Sequence, residues 1–265
     1  LPPGALGENI TITGIWTSVL ASGCSAFAVM LRHRPDPPHR VQPHAMPEPQ
    51  PASGAASAEV LVLVAHPQME QSRVNRRLMR AAGEVAATSR GRVEVRDLYA
   101  LYPDYLIDVA AEQALLAQAK LIVWQHPVHW YSMPPLMKLW LDEVLAFGWA
   151  YGPGGTALQG KDLWLSASTG GPEDSYRPDS YNRYFFDAFL PPYEQTAALC
   201  GMRFLPPLVL HGAHRVEKAA IEAHAGVYAE RLATYPEWPE LAELAECVAC
   251  EVPATARPST EPEGA

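Results

Sequence analysis

Val60-Leu61-Val62-Leu63-Val64 is an unbroken run of apolar, mostly β-branched residues with no polar partner between them. An alternating run would mark a strand with one wet face; a continuous one marks a strand covered on both faces, as in a parallel sheet flanked by helices. Leu121-Ile122-Val123-Trp124 repeats the signature, and Asp162 to Ser168 and Arg203 to Leu210 supply two further strands. Arg92 to Leu98 alternates Val93 and Val95 with polar residues, as an edge strand does.

Helical periodicity fills the gaps. Ser72 is placed to N-cap a helix running to about Ala86, and further helices are expected over about Ala110 to Ala119, Pro135 to Ala146, Ala188 to Cys200 closed by Gly201, and Val216 to Leu232. Five strands alternating with five helices imply an α/β fold: a right-handed, doubly wound parallel sheet with helices on both faces. In such a sheet ligands bind at the carboxyl ends of the strands.

The regular pattern occupies residues 59–235, the expected single domain. Of the 26 prolines many fall between Arg34 and Pro51 or after Tyr235. Residues 1–58 are expected to be a disordered or non-native extension, since Arg34 to Ala58 is too rich in Pro, Ala and Ser to bury a core. Residues 236–265 are expected to be a disordered acidic tail. Ile10 to Leu31 is uncharged and long enough for a membrane-spanning helix of about 20 residues. As an anchor, with Arg32-His33-Arg34 on the inner side, it would leave the domain in the cytoplasm. The chain opens on Leu1, and Met46 precedes the first strand, so a start at Met46 is the competing expectation.

The formal net charge is -9 and no basic face is visible, which argues against a nucleic-acid partner. Cys24, Cys200, Cys247 and Cys250 are too scattered for a disulfide framework, and Cys247-x-x-Cys250 lacks the second pair or histidine that a metal site needs. No metal is expected.

Three strand-end loops carry the candidate chemistry. After the first strand, His66-Pro67 leads to Ser72-Arg73-Val74-Asn75 at a helix start, where free amides and the helix dipole favour a phosphate. The loop lacks the glycine pattern of a dinucleotide or triphosphate site, so a monophosphate fits better, though an ordinary capped helix would show the same residues. After the third strand, Gln125-His126-Pro127-Val128-His129-Trp130-Tyr131 sets imidazoles and aromatic faces where a loop is usually polar, suited to walling a flat heterocycle or to packing on its own helix. After the fourth, Ser168-Thr169-Gly170-Gly171 allows close backbone approach, and Tyr176 follows; glycine pairs also make plain turns. His211 and His214 follow the last strand and are candidates to line the same pocket.

With Ala65-His66-Pro67, Ser72 with Asn75, Leu101-Tyr102-Pro103-Asp104, Trp130-Tyr131-Ser132-Met133-Pro134-Pro135, Gly148-Trp149-Ala150-Tyr151-Gly152 and Thr169-Gly170-Gly171, the chain resembles the flavodoxin-2-type NAD(P)H quinone reductases. It is closely similar to the ancillary subunits of the glutathione-regulated potassium-efflux system. The resemblance covers nearly all of Glu59 to Leu232 and implies a flavodoxin-like sheet of order 2-1-3-4-5, a homodimer, and a non-covalent flavin. That flavin is usually FMN in the ancillary subunits and FAD in some longer reductases.

Carried over, the resemblance assigns the phosphate to His66, Ser72, Arg73, Val74 and Asn75, and the ring to Val128, His129, Trp130 and Tyr131 with Ser168, Thr169, Gly170 and Gly171. It implies two-electron reduction of quinones by NAD(P)H in a ping-pong cycle, with Tyr176 as a catalytic side chain; His129, whose unperturbed pKa is near neutrality, is a candidate proton donor or a histidine hydrogen-bonded within its own loop. In FAD-containing relatives a Tyr and a His follow the Gly-Gly loop; here Tyr176 matches the first and Asn182 stands at the second. The resemblance also implies a membrane potassium/proton antiporter as partner, hence a cytoplasmic protein peripheral to the inner face of the membrane. An electron-carrier flavodoxin is the third reading. The helix over Leu136 to Phe147, with Trp149 and Tyr151, carries more aromatics than one core face needs and is a candidate dimer surface.

Overall fold

The computed structural model describes residues 58–244. The expectations for Ile10 to Leu31, Met46, Cys247 and Cys250, and most of both tails, lie outside these residues. Five strands, β1 (Val60–Val64), β2 (Val93–Asp97), β3 (Leu121–Pro127), β4 (Asp162–Ser168) and β5 (Arg203–Leu210), form one sheet of order β2-β1-β3-β4-β5. Every pairing is parallel, with Val62 of β1 between Val95 and Val123. The helices are α1 (Val74–Thr88), α2 (Leu98–Leu101), α3 (Val109–Gln118), α4 (Pro135–Val144), α5 (Pro191–Leu199) and α6 (Lys218–Thr234). The flavodoxin-like fold and its strand order are those expected.

The period of two along β1 sorts its side chains into two cores. Val60, Val62 and Val64 pack with Leu78 of α1 and with Ala225 and Tyr228 of α6. Leu61 and Leu63 pack with Leu116 of α3, Trp140 of α4 and Ala197 of α5. Burying a side chain of this size contributes roughly 1.5–3 kcal/mol, so sheet and helices are stable only together.

Several boundaries differ from the sequence reading, each for a local reason. β3 runs three residues further, through Gln125, His126 and Pro127, all buried. Polar residues there suggested a loop, but the Gln125 amide is satisfied inside: Nε2 donates to the Asn75 carbonyl at 3.0 Å and Oε1 accepts from Tyr228 at 3.0 Å. α2 was not expected; the Asp97 carboxylate that ends β2 accepts from the amides of Tyr99 and Ala100 and starts a helical turn at once. α5 begins at Pro191 because Pro191 and Pro192 suit its first turn, and a 3₁₀ turn at Phe186–Phe189 precedes it.

The domain also passes its expected end at Tyr235. After a cis Tyr235–Pro236 bond, Trp238 is buried against Trp164 at 4.9 Å and donates from Nε1 to the Arg231 carbonyl. The proposed dimer helix, in turn, faces inward: Leu136, Met137, Trp140 and Val144 are core, and Trp149 and Tyr151 pack on it. Among the described residues no helix is long and apolar enough to cross a membrane.

His126 is fully buried in β3, stacked on Tyr193 at 5.7 Å with Nδ1 3.0 Å from the Pro127 carbonyl. Burial lowers its pKa from 6.5 to about 4. The folded value is depressed below the unfolded one, so between these pH values the unfolded chain binds a proton that the native chain refuses. Stability from this group is therefore full above pH 6.5 and falls as pH drops toward 4, by up to about 3 kcal/mol. Denaturant titrations should show wild type losing stability relative to His126→Phe across this window; a pH-independent difference would contradict the assignment.

Candidate functional site

The carboxyl end of β1 delivers His66 to the edge of a cleft. Its Nδ1 accepts from the Gln68 amide at 3.0 Å, which leaves Nε2 to carry the hydrogen of the neutral ring. Burial, and then the neighbouring imidazole of His129, hold the His66 pKa down at about 4, so the ring is a neutral donor at physiological pH. Ser72 caps α1: its Oγ accepts from the Asn75 amide at 3.0 Å. The other first-turn amides have no intrahelical partner, and with the dipole they form a positive helix end. Arg73 adds charge there while its guanidinium donates to the carbonyls of His214 and Val216, tying the start of α1 to the loop after β5.

Ser168, the last residue of β4, joins the loops. Its carbonyl accepts from the Val128 amide at 2.7 Å and its Oγ accepts from Asn75 Nδ2 at 2.8 Å. Beyond Val128 the chain reverses in a tight turn in which His129 and Ser132 exchange backbone bonds of 2.9 and 3.1 Å. Trp130 and Tyr131 occupy its centre at φ of 50° and 64°. This left-handed backbone costs a non-glycine residue roughly 1–2 kcal/mol, and it swings Trp130 out to 93% exposure. Tyr131 leans on Phe189 at 5.0 Å and donates to Asn182 Oδ1.

These elements enclose a cavity of about 390 Å³, within the range of about 300–1,000 Å³ common for small-molecule sites. His66, Ser72, Arg73, Val74 and Asn75 line it from the first loop, Val128 and His129 from the second, and Ser168, Thr169 and Gly170 from the third. Trp130, Tyr131 and Gly171 do not line it. The turn geometry directs the two aromatics away, and Gly171 serves local packing, since a Cβ there would sit 2.7 Å from Ser175 Oγ and 2.9 Å from the Tyr181 hydroxyl. A Cβ on Gly170 would meet His214 Nε2 at 3.3 Å.

Neither expected catalytic side chain is placed quite as the sequence suggested. His129 lines the cleft, but burial lowers its pKa, which makes it a neutral ring rather than a ready acid near pH 7. Tyr176 is buried behind the wall, in edge contact with Phe186 and Phe189, and burial raises its pKa, so the phenol keeps its proton. Gln68, Gln71, Ala213 and His214 also line the cavity. The first two sit in a turn that sequence reading passed over between His66 and Ser72. His214, a candidate from its place after the last strand, lines the cavity while His211 does not, and Ala213 could have been found from the same strand-end rule applied to β5. Among the described residues no three His, Cys, Asp or Glu side chains gather as metal ligands.

Residues 58–232 match the family described as having a flavodoxin-like fold. Over 178 residues the chain is 47% identical to the glutathione-regulated potassium-efflux system ancillary protein KefF of Citrobacter koseri, covering 67% of this chain and 97% of that one. Among solved structures it is similar to the general stress protein 14 of Treponema denticola in complex with FMN, at 39% identity and a TM-score of 0.60, covering 66% of this chain and 97% of that one. It is also similar to an NADPH-quinone reductase from P. pentosaceus, at 28% identity and a TM-score of 0.59, covering 67% and 98%.

Asn75→Ala removes the buried bond to Ser168 while the Gln125 bond to the main chain of residue 75 survives. It should lower stability by about 1–2 kcal/mol, read as a drop in the urea midpoint at unchanged slope.

Proposed function

Because this chain belongs to the family of flavodoxin-like fold proteins that its residues 58–232 match, we propose that it is a flavin-dependent NAD(P)H:quinone oxidoreductase, with FMN as its cofactor. The observation that carries this reading is the convergence of the loops after β1, β3 and β4 on one cleft, with a helix N-terminus at one end and a glycine-bearing strand end at the other. The residues present fit the group. Asn75 Oδ1 is buried without a hydrogen-bond partner among the described residues, an acceptor waiting for a donor that a ribityl hydroxyl would supply. The first-turn amides and Arg73 suit a phosphate, and Gly170 leaves room beside His214 that a larger side chain would fill.

When bound, the flavin would supply the redox chemistry, taking hydride from NAD(P)H and returning two electrons to a quinone in a ping-pong cycle. The protein's own part is placement and electrostatics. Ser72, Arg73, Val74 and Asn75 would hold the phosphate end, and Val128, His129, Thr169 and Gly170 the ring. Neutral His66 offers an N–H without adding charge. Tyr176, still protonated near neutral pH, is the donor held in reserve for a developing negative charge.

The 47% identity to an ancillary protein of a potassium-efflux system favours a second role beside the first. The same molecule would act at the inner face of the membrane as an activating subunit of a potassium/proton antiporter. A homodimer would cover the aromatics Trp130, Tyr181, Tyr184 and Phe185, each more than half exposed in the single chain. An electron carrier without its own pyridine-nucleotide oxidation is the least supported reading, given the likeness to a quinone reductase.

Purified protein should be yellow or become so with FMN, bleach anaerobically on adding NADPH or NADH, and turn over benzoquinone. Gly170→Val should lower FMN affinity at least about tenfold, a loss of about 1.4 kcal/mol. Protein that is folded yet colourless with excess FMN or FAD would overturn the reading, and co-purification with an antiporter from membranes would establish the second role.

A further inference from the structure

A net charge of -9 conceals a local excess of the opposite sign. Arg73, Arg76, Arg77 and Arg80 stand at i, i+3, i+4 and i+7, the spacing that sets side chains along one face of a helix, here a stripe about 10 Å long at the start of α1. α6 packs beside α1 and brings Lys218, the first residue of its helix, to the same place. These five cations, of 20 in the whole chain, line one groove of about 240 Å³. Ile221 and Glu222 of α6 complete its lining.

The arrangement works against the stability of the chain on its own. Like charges three and four residues apart on a helix repel, and cations in a first turn meet the positive end of the helix dipole. Neither α1 nor α6 has an acidic residue in its first turn. The neighbours neutralise little of the charge. Arg77 Nε donates to Glu222 at 2.8 Å, but its Nη1 is buried with no partner among the described residues. Arg76 donates to the Glu70 carbonyl and lies 3.7 Å from the exposed Glu70 carboxylate. Arg73 donates to two carbonyls, which carry no net charge. Among the described residues Arg80 and Lys218 have no hydrogen bond or ion pair.

We infer that the groove between the starts of α1 and α6 is a second anion site, for a ligand that presents two or more phosphate groups close together. Guanidinium forks match phosphate oxygens two at a time, and both helices turn their positive ends to this edge. With Ile221 as the one apolar side chain, the lining selects for charge rather than for a ring. One carboxylate, that of Glu222, leaves an excess of four positive charges (five less one), so a ligand with several negative charges in a small space fits best. Arg73 lines both the groove and the cleft, but the other four cations line the groove alone. The inference therefore stands apart from the flavin reading.

Sodium pyrophosphate is the soluble probe, applied to the full-length protein in excess FMN at constant ionic strength. Calorimetry should show it binding, and at about ten times its Kd it should raise Tm by about 3 °C, whereas sodium chloride of equal ionic strength should do neither. The double substitution Arg80→Gln, Lys218→Gln removes the two unpartnered charges and leaves the cleft lining intact. It should weaken pyrophosphate binding at least about tenfold, with FMN affinity and benzoquinone turnover within about twofold of wild type. Without the probe, at low salt, the double variant should be at least as stable as wild type, since it relieves repulsion. Vesicles containing phosphatidylglycerol test a lipid headgroup as the source of the phosphates. Capture on them that the substitutions abolish would place that source in a membrane; pyrophosphate binding without such capture would place it in solution. A folded protein that binds neither probe, or binds both as well after the substitutions as before, would overturn the inference. So would a marked loss of stability in the double variant, which would assign the two cations to the fold. A protein that binds no flavin yet shows the substitution-sensitive pyrophosphate site would remove the flavin reading alone.

Discussion

Five parallel strands can be joined only by crossovers, and both faces of the sheet must be covered by what those crossovers carry. Everything else in this molecule follows from that requirement. Valines of β1 face one helical layer and its leucines the other, so neither layer is stable without the strand between them. Every strand points the same way, so every carboxyl end opens at one edge, where no helix covers the backbone. The cleft is the place the covering leaves bare.

At that edge the loops are knit by buried polar groups rather than by apolar packing. Ser168 binds the loop after β3 through its carbonyl and the start of α1 through its hydroxyl, while Gln125 reaches from within β3 to the Asn75 carbonyl and to Tyr228. Each of these groups would be costly to bury unpaired. The network therefore sets the positions of the loops closely, and it explains why β3 stays a strand through residues whose polarity suggests a loop. Asn75 Oδ1, on a residue that lines the cleft, is a buried acceptor left without a partner among the described residues.

The aromatic residues divide into two sets with different duties. Phe186, Phe189, Tyr131 and Tyr176 form a connected cluster behind and beside the cleft, reached by His211 from the loop after β5. Trp130, Tyr181, Tyr184 and Phe185 face outward. The left-handed turn at Trp130 and Tyr131 sits where these sets meet, and its cost is carried by two backbone bonds between His129 and Ser132. A single chain thus shapes the phosphate and ring end of the cleft and leaves its outer side open to whatever substrate or second subunit completes it.

The sequence by itself determined the fold class, the order of the strands, and which strand ends border the cavity. Continuous apolar runs, caps and glycines are local signals, and their meaning depends on a few neighbouring residues. Ten of the thirteen expected binding residues line the cavity because they sit at strand ends whose position follows from the fold alone. Only the tertiary structure decided that Trp130 and Tyr131 turn outward, that Gly171 answers to Ser175 and Tyr181, that Trp238 belongs to the core, and that of the two histidines after β5 His214 lines the cavity while His211 contacts Thr169. These outcomes depend on backbone dihedrals and on contacts between residues far apart in the chain, whose energies no local pattern of residue types encodes.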